Sequence, residues 1–334
     1  MKHSTLALCP ASPSHLLKHW PAYAPSPLVR AHLSQKPLLL KDETSRMGLG
    51  SFKALGGAYA VARLIMGDEE YWDRPLANFH AKAKGMTFIC ASAGNHGISV
   101  AAGAQLFGAK ARIHLSTLVP EAFAVRLKSL GAQVVISGET YEQSVQSAIE
   151  EAARGDGIHL ADGSWEGYTE PPRLVMEGYT IIAEEMRIEF EEKGDWPSHV
   201  FLQAGVGGMA GAITYMIRKN WSVQPHITVV EPNRAPCLRD SVEAGRLVEV
   251  SGPVSNMGRL DCKTASMLGF EILREKADHF TTITDAQAQS AVNDLCAYNL
   301  YSTPSGAAGF AAVEQAKLGK NARALVLITE GVLS

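Results

Sequence analysis

The feature of this chain that most narrows its fold is an alternation between residues 86 and 160. Apolar segments at 86–91, 111–115, 133–136 and 158–160 are separated by helical patterns at 96–107, 121–130 and 141–153. Strands this apolar, linked by helices instead of tight turns, predict a parallel sheet covered on both faces. Further along, a long helix at 173–191 leads into strand 199–203, helix 209–219 and strand 226–231. Helices at 236–244, 264–276, 285–298 and 306–318 follow, and 324–328 closes as a strand. Before the alternation, 37–41 reads as a buried strand, and 52–66 as a helix with alanine and glycine where it must pack closely. A chain of 334 residues exceeds what one hydrophobic core usually serves. The expected architecture is therefore α/β, in two lobes with mainly parallel sheets: 1–72 with 165–334 as the larger and 73–164 as the smaller.

A formal net charge of -3, without a long basic or acidic block, gives no support to nucleic acid or a membrane surface as partner. No run is long enough to span a bilayer. Cys9, Cys90, Cys237, Cys262 and Cys296 are scattered, odd in number and free of any Cys-x-x-Cys spacing, which suits free thiols in a reducing, cytoplasmic compartment. Prolines at 10, 13, 21, 25 and 27 allow only short elements before residue 33, and the first two cut the opening apolar stretch short of a signal-peptide core. His15 and His19 stand four apart with no third ligand nearby, so they read as surface residues and no metal is expected. Residues 251–261 are the most loop-like stretch.

Three stretches carry chemistry. Lys53 follows the glycine-bearing turn 47–50 and opens an alanine-rich helix. The positive end of the helix dipole disfavours a cation there and favours the free amine, which suits Schiff-base formation; a lysine snorkelling from a helix end is the plainer reading. Gly205-Val206-Gly207-Gly208-Met209-Ala210-Gly211 joins an apolar strand to an apolar helix, where converging backbone N–H groups can cradle a phosphate. The same residues also satisfy a dinucleotide fingerprint, Gly205-x-Gly207-x-x-Ala210, with Glu231 about twenty residues on, and glycines also serve tight packing. In the third stretch, 90–97, Ser92, Asn95 and the amides around Gly94 can meet an anionic group or a phenolic oxygen, or can simply start a helix.

Taken together, these stretches strongly resemble the pyridoxal-phosphate enzymes of the tryptophan synthase β-subunit fold, fold type II. The resemblance implies that Lys53, in Ser51-Phe52-Lys53, carries the cofactor as a Schiff base. It implies that Ser92 and Gly94 lie at the substrate carboxylate, with Ala93 between them at the substrate, and Asn95 beside the cofactor's 3-hydroxyl. Gly205, Val206, Gly207, Gly208 and Met209 fall on the family's phosphate cup, and Thr329 falls where a serine or threonine hydroxyl meets the pyridine nitrogen. The larger lobe is then the cofactor-binding one. An amino acid substrate and a homodimer are what the family leads one to expect.

Residues 46–57, 161–169, 203–211 and 230–233 are similar to diaminopropionate ammonia-lyases. That similarity implies Lys53 as the base toward an L-substrate and Asp162 as a second catalytic carboxylate; Trp165 and Tyr168 are candidates for contacting the substrate, or for the core. There are two departures. Ala93 stands where the lyases carry an aspartate implicated in handling the D-isomer, and the local spelling is similar to threonine and serine dehydratases. Thr303-Pro304-Ser305-Gly306 lacks an acidic residue found in relatives. An ionised Asp162 suits a β-ammonium leaving group, which already has its proton, better than a hydroxyl that needs an acid. A neutral Thr329 hydroxyl does not hold the ring nitrogen protonated, which favours expulsion of a β-substituent over transamination. The expected activity is β-elimination of an L-amino acid to a 2-oxo acid and ammonia, with a β-hydroxy amino acid dehydratase as the alternative. A β-replacement synthase is less favoured, and an NAD oxidoreductase leaves Lys53 and Asn95 unexplained.

Overall fold

The computed structural model describes residues 7–17, 20–67, 75–92 and 94–332; Ala93 and His19 lie outside the described residues. In chain order the elements are α1 (Ala11–Leu17), β1 (Leu28–Leu33), β2 (Lys36–Asp42), α2 (Lys53–Met66), α3 (Leu76–Ala83), β3 (Thr87–Ala91), α4 (Asn95–Phe107) and β4 (Lys110–Leu115). Then come α5 (Glu121–Ser129), β5 (Gln133–Ile136), α6 (Tyr141–Ala153), β6 (Ile158–His159), α7 (Glu170–Lys193), β7 (His199–Gln203), α8 (Gly208–Asn220) and β8 (His226–Pro232). The chain ends with α9 (Cys237–Glu243), α10 (Met267–Lys276), β9 (His279–Ile283), α11 (Asp285–Leu295), α12 (Pro304–Gln315) and β10 (Ala324–Ile328).

The described residues divide into two compact units, Met1–Tyr23 with Lys53–Ser164 and Tyr168–Ile181, and Ala24–Phe52 with Trp165–Gly167 and Ile182–Ser334. The first holds a four-stranded sheet in the order β5-β4-β3-β6, with every pair parallel. Helix α2 and the start of α7 group with this sheet. Helix α2 packs closely on α4 and on α7 because small residues line the contacts: a Cβ on Gly57 would lie 2.6 Å from Ser99 Oγ and one on Gly103 2.8 Å from Ala58 Cα, both between α2 and α4, and one on Gly178 of α7 2.7 Å from Leu55 O.

The second unit holds a six-stranded sheet in the order β1-β2-β10-β7-β8-β9, parallel except for the β1–β2 hairpin. The alanines of α12 let it settle on the sheet, so Ala307, Ala308, Phe310 and Ala311 share a buried core with Leu38, Leu40, Phe201, Val326 and Ile328. Two strands escape the sequence reading. In the hairpin, Ser34 and Gln35 both take positive φ (48° and 66°) without the glycine that usually marks such a turn. Strand β9 is a sheet edge of mixed polarity, His-Phe-Thr-Thr-Ile, and lacks the apolar run of a strand covered on both faces. All five cysteines are free thiols. Among the described residues no helix is long and apolar enough to cross a membrane, and no group of three or more His, Cys, Asp or Glu is arranged to hold a metal ion.

Candidate active site

In the first unit, the chemistry collects at the C-terminal edge of the neighbouring parallel strands β3 and β6, where open α/β sheets bind ligands. Lys53 is the first residue of α2, and its Nζ forms an ion pair with Asp162 Oδ2, which follows β6. Both side chains are about one-quarter exposed, at 23% and 24%. Burial acts to raise the Asp162 carboxyl, but the Lys53 charge and hydrogen bond outweigh it and hold the group well below the usual carboxylate range. Asp162 is therefore an anion at neutral pH.

The turn after β3 leads directly into α4. Gly94 is its N-cap, with no side-chain cap, while Ser92 Oγ accepts the Gly94 N–H at 3.2 Å. Glycine is required at 97, since a Cβ there would lie 2.5 Å from Ser92 O. Asn95 and His96 are buried. His96 Nε2 lies 2.8 Å from Leu160 O, an acceptor only, so that nitrogen carries the hydrogen. Burial lowers the His96 pKa, which keeps the ring neutral, and Nδ1 has no hydrogen-bond partner among the described residues. Tyr168 is turned to backbone: its hydroxyl donates to His159 O at 2.9 Å and accepts the Ala161 N–H at 3.0 Å, fastening the end of β6 and the chain that leaves it.

The second unit repeats this placement at the C-terminal edges of β7 and β10. Gly205 to Gly208 follow β7, and Gly207 caps α8 with φ 95° and no side-chain cap. A Cβ on Gly205 would meet Cys262 Sγ at 3.0 Å and Arg259 O at 3.1 Å; one on Gly207 would meet Leu238 Cδ1 at 3.0 Å. At Gly205 and Gly207 the turn leaves little room for a side chain. By contrast, α6 and α11 open on complete capping boxes, Thr140 with Gln143 and Thr284 with Gln287, and Thr303 caps α12. The N-caps of α4 and α8 are both glycines, so neither helix start has a side-chain cap, as is also true, without glycine, of α3, α5 and α10; a glycine start is compatible with the approach of an anion.

Thr329 follows β10 and is buried. Its carbonyl accepts the Phe52 N–H at 3.1 Å, and Ser51 bridges Glu330, so the Ser51-Phe52 segment lies against the Thr329 strand end. The preceding turn runs through the left-handed region at Met47, Gly48 and Gly50, with φ of 52°, 70° and 83°; glycine adopts this freely, while Met47 carries the strain. Arg46 anchors it through Glu43 Oε2 at 2.7 Å and Glu185 Oε1 at 2.7 Å. Trp165 is 41% exposed. Glu231 is fully buried and its two oxygens accept the Leu238 and Arg239 N–H groups at 2.7 and 2.8 Å, capping α9. Burial pushes its pKa up to about 7. The carboxyl that a dinucleotide reading needs on a ribose is thus engaged inside the fold.

Two residues left without a role by the sequence reading emerge here, His96 and Gln203. Both are polar groups at the ends of apolar strands or loops, which is the signal that could have marked them. In the first unit the amine paired to a carboxylate suits an aldehyde, and in the second the glycine helix start of α8 suits a phosphate.

The chain belongs to the pyridoxal-phosphate-dependent enzymes: the family model described as "Pyridoxal-phosphate dependent enzyme" matches residues 19–330. Pyridoxal phosphate is accordingly its cofactor. Among individual relatives, the chain is 35% identical over 340 residues to the diaminopropionate ammonia-lyase of Escherichia coli K12, a match covering 92% of this chain and 85% of that protein. The crystal structure of the selenomethionine-incorporated holo enzyme from Escherichia coli superposes with a TM-score of 0.88 at 31% identity, over 96% of this chain and 88% of that one. A probable D-serine dehydratase of Sinorhizobium medicae is 31% identical over 204 residues, 56% of this chain and 45% of that protein.

Proposed function

We propose that this enzyme is an ammonia-lyase that cleaves L-2,3-diaminopropionate to a 2-oxo acid and two molecules of ammonia. The observation that carries this reading is the Lys53–Asp162 ion pair. In the proposal Lys53 holds the cofactor and takes the Cα proton of the substrate. Asp162, an anion, attracts the β-ammonium and orients it for departure, a task a carboxylate performs without giving up a proton. The second ammonia comes from hydrolysis of the α-imino acid left behind. Bound pyridoxal phosphate supplies the conjugated electron sink that makes the Cα proton removable.

The remaining roles follow the resemblance. Gly205, Val206, Gly207, Gly208 and Met209 hold the phosphate, Asn95 the 3-hydroxyl and Thr329 the ring nitrogen. Ser92, Ala93 and Gly94 receive the substrate carboxylate, and Trp165 closes over the substrate. Tyr168 supports the site from behind through its backbone hydrogen bonds. The functional lobes are 1–72 with 165–334 for the cofactor and 73–164 as the smaller, in a cytoplasmic homodimer; light scattering tests the assembly.

A β-hydroxy amino acid dehydratase is the second reading, favoured by Ala93 and by the similarity to a D-serine dehydratase. A panel of L- and D-2,3-diaminopropionate, L-serine, D-serine and L-threonine separates the two. Turnover of L-diaminopropionate with two ammonia per oxo acid, and little on its D-isomer, is the expected result. One ammonia per oxo acid from a hydroxy amino acid, with the diamino acids silent, would replace the proposal by its alternative.

A further inference from the structure

Gln203 ends β7 and is 2% exposed. Its Nε2 lies 3.0 Å from Gly306 O, 3.0 Å from Leu327 O and 3.1 Å from Thr329 Oγ1. Backbone carbonyls only accept, so the nitrogen of the amide must face this side. The –NH2 has two hydrogens for these three acceptors, so one is shared between neighbours; because an amide nitrogen does not accept, Thr329 Oγ1 can only be an acceptor toward it, and its own O–H is turned to a different partner. The Thr329 main chain is pinned on both sides, by its N–H on Gly306 O at 3.3 Å and its carbonyl on Phe52 N at 3.1 Å. What Gln203 decides is the direction of the hydroxyl.

The arrangement has costs. Gln203 Oε1 is buried without a hydrogen-bond partner among the described residues, and such a group forfeits its hydration. Gly309, inside α12, must be glycine because a Cβ would lie 2.8 Å from that same oxygen and 3.2 Å from Phe201 O; a glycine in a helix interior is disfavoured relative to alanine. A methionine of similar size at 203 would leave no orphaned oxygen. A buried amide kept in spite of these costs points to a use for its donor side.

We infer that Gln203 is a positioning residue that commits the Thr329 hydroxyl to donate, toward the unprotonated pyridine nitrogen of the cofactor. The inference rests on the reading of Thr329 as the ring-nitrogen partner. It adds that a residue remote from the substrate sets which way that hydrogen bond runs, and so biases the ring nitrogen against taking a proton.

The test titrates the apo-proteins with pyridoxal phosphate, following affinity and the pH dependence of the visible absorbance, with thermal unfolding of each apo-protein as control. Thr329→Val is expected to weaken cofactor binding about tenfold and to alter the pH profile of the band. Gln203→Met is expected to change the profile in the same direction and weaken binding about threefold. The double variant is expected to match Thr329→Val alone. Gln203→Asn, which keeps the amide but falls one methylene short of Thr329, is expected to behave as Gln203→Met and serves should the methionine variant not fold. An effect of Thr329→Val with none of either Gln203 variant overturns the inference alone. So does a double variant weaker than Thr329→Val by the full single-variant factor, because Gln203 then acts independently. No effect of Thr329→Val overturns the Thr329 assignment and the inference with it.

Discussion

Two clusters of opposite charge in this chain are built in different ways. In the second unit, Lys41, Glu43, Arg46 and Glu185 form a sealed network, with side chains no more than 7% exposed. Arg46 donates to both oxygens of Glu43 and both of Glu185 and to Ala24 O, Ser26 Oγ donates to Glu43 at 2.6 Å, and Lys41 bonds Ser26 O and Glu185, each at 2.7 Å. In the first unit, Lys53 and Asp162 pair at a site about one-quarter open. Two buried charges survive only when their lone pairs and protons are fully occupied, because each has lost its water. A pair meant to exchange partners has to keep access. The contrast separates a charge group that holds a turn from one proposed to do chemistry.

Substitutions sharpen that contrast, beginning with the largest effects. Lys53→Ala should reduce ammonia release by about a thousandfold or more and remove the visible absorbance of the covalently held cofactor; unfolding of the apo-protein should barely move. An active, coloured variant would mean that another lysine holds the cofactor. Arg46→Met should do the reverse, leaving Glu43 and Glu185 buried without their cation and lowering stability by about 3–5 kcal/mol in urea unfolding. A loss under about 1 kcal/mol would show that the network is less sealed than its hydrogen bonds indicate.

Asp162→Asn lies between the two. Turnover should fall about a hundredfold, while stability at neutral pH should change by less than about 1 kcal/mol. Its acid dependence has a definite sign. The folded Asp162 is more acidic than the ordinary value of 3.8, so its contribution is complete above that value and fades as pH falls toward the folded one. The stability gap between wild type and Asp162→Asn should therefore be constant at neutral pH and close below 3.8; a gap that widens in acid would contradict the lowered pKa. The smallest effect belongs to a helix start that no ligand serves: Thr284→Ala, at the α11 capping box, should cost about 1 kcal/mol with activity unchanged. A large activity loss there would break the division between helices capped by their own side chains and those proposed to meet a ligand.

Much of the frame was legible before any coordinates. Strands covered on both faces announce themselves as apolar runs, which is why β7 (His199–Gln203) and β10 (Ala324–Ile328) fall where the pattern puts them. Glycine loops at strand-to-helix junctions are equally visible, since a tight turn admits few other residues. The hairpin through Ser34 and Gln35 and the edge strand β9 were not legible, because the one has no turn signature and the other has a side left uncovered.

By itself, the sequence determined the parallel α/β architecture and marked the lysine and the two glycine loops as candidates, because these follow from local rules: periodicity, backbone freedom and the chemistry of one side chain. Only the tertiary structure decided which polar groups meet. It set Asp162 on Lys53, took Glu231 out of contention by spending it on α9, turned Tyr168 to backbone, and put the Gln203 amide on Thr329 from 126 residues away. Such pairings depend on the parallel strand order, which brings strand ends far apart in the chain to one edge, and nothing in the spacing of residues along the chain encodes it.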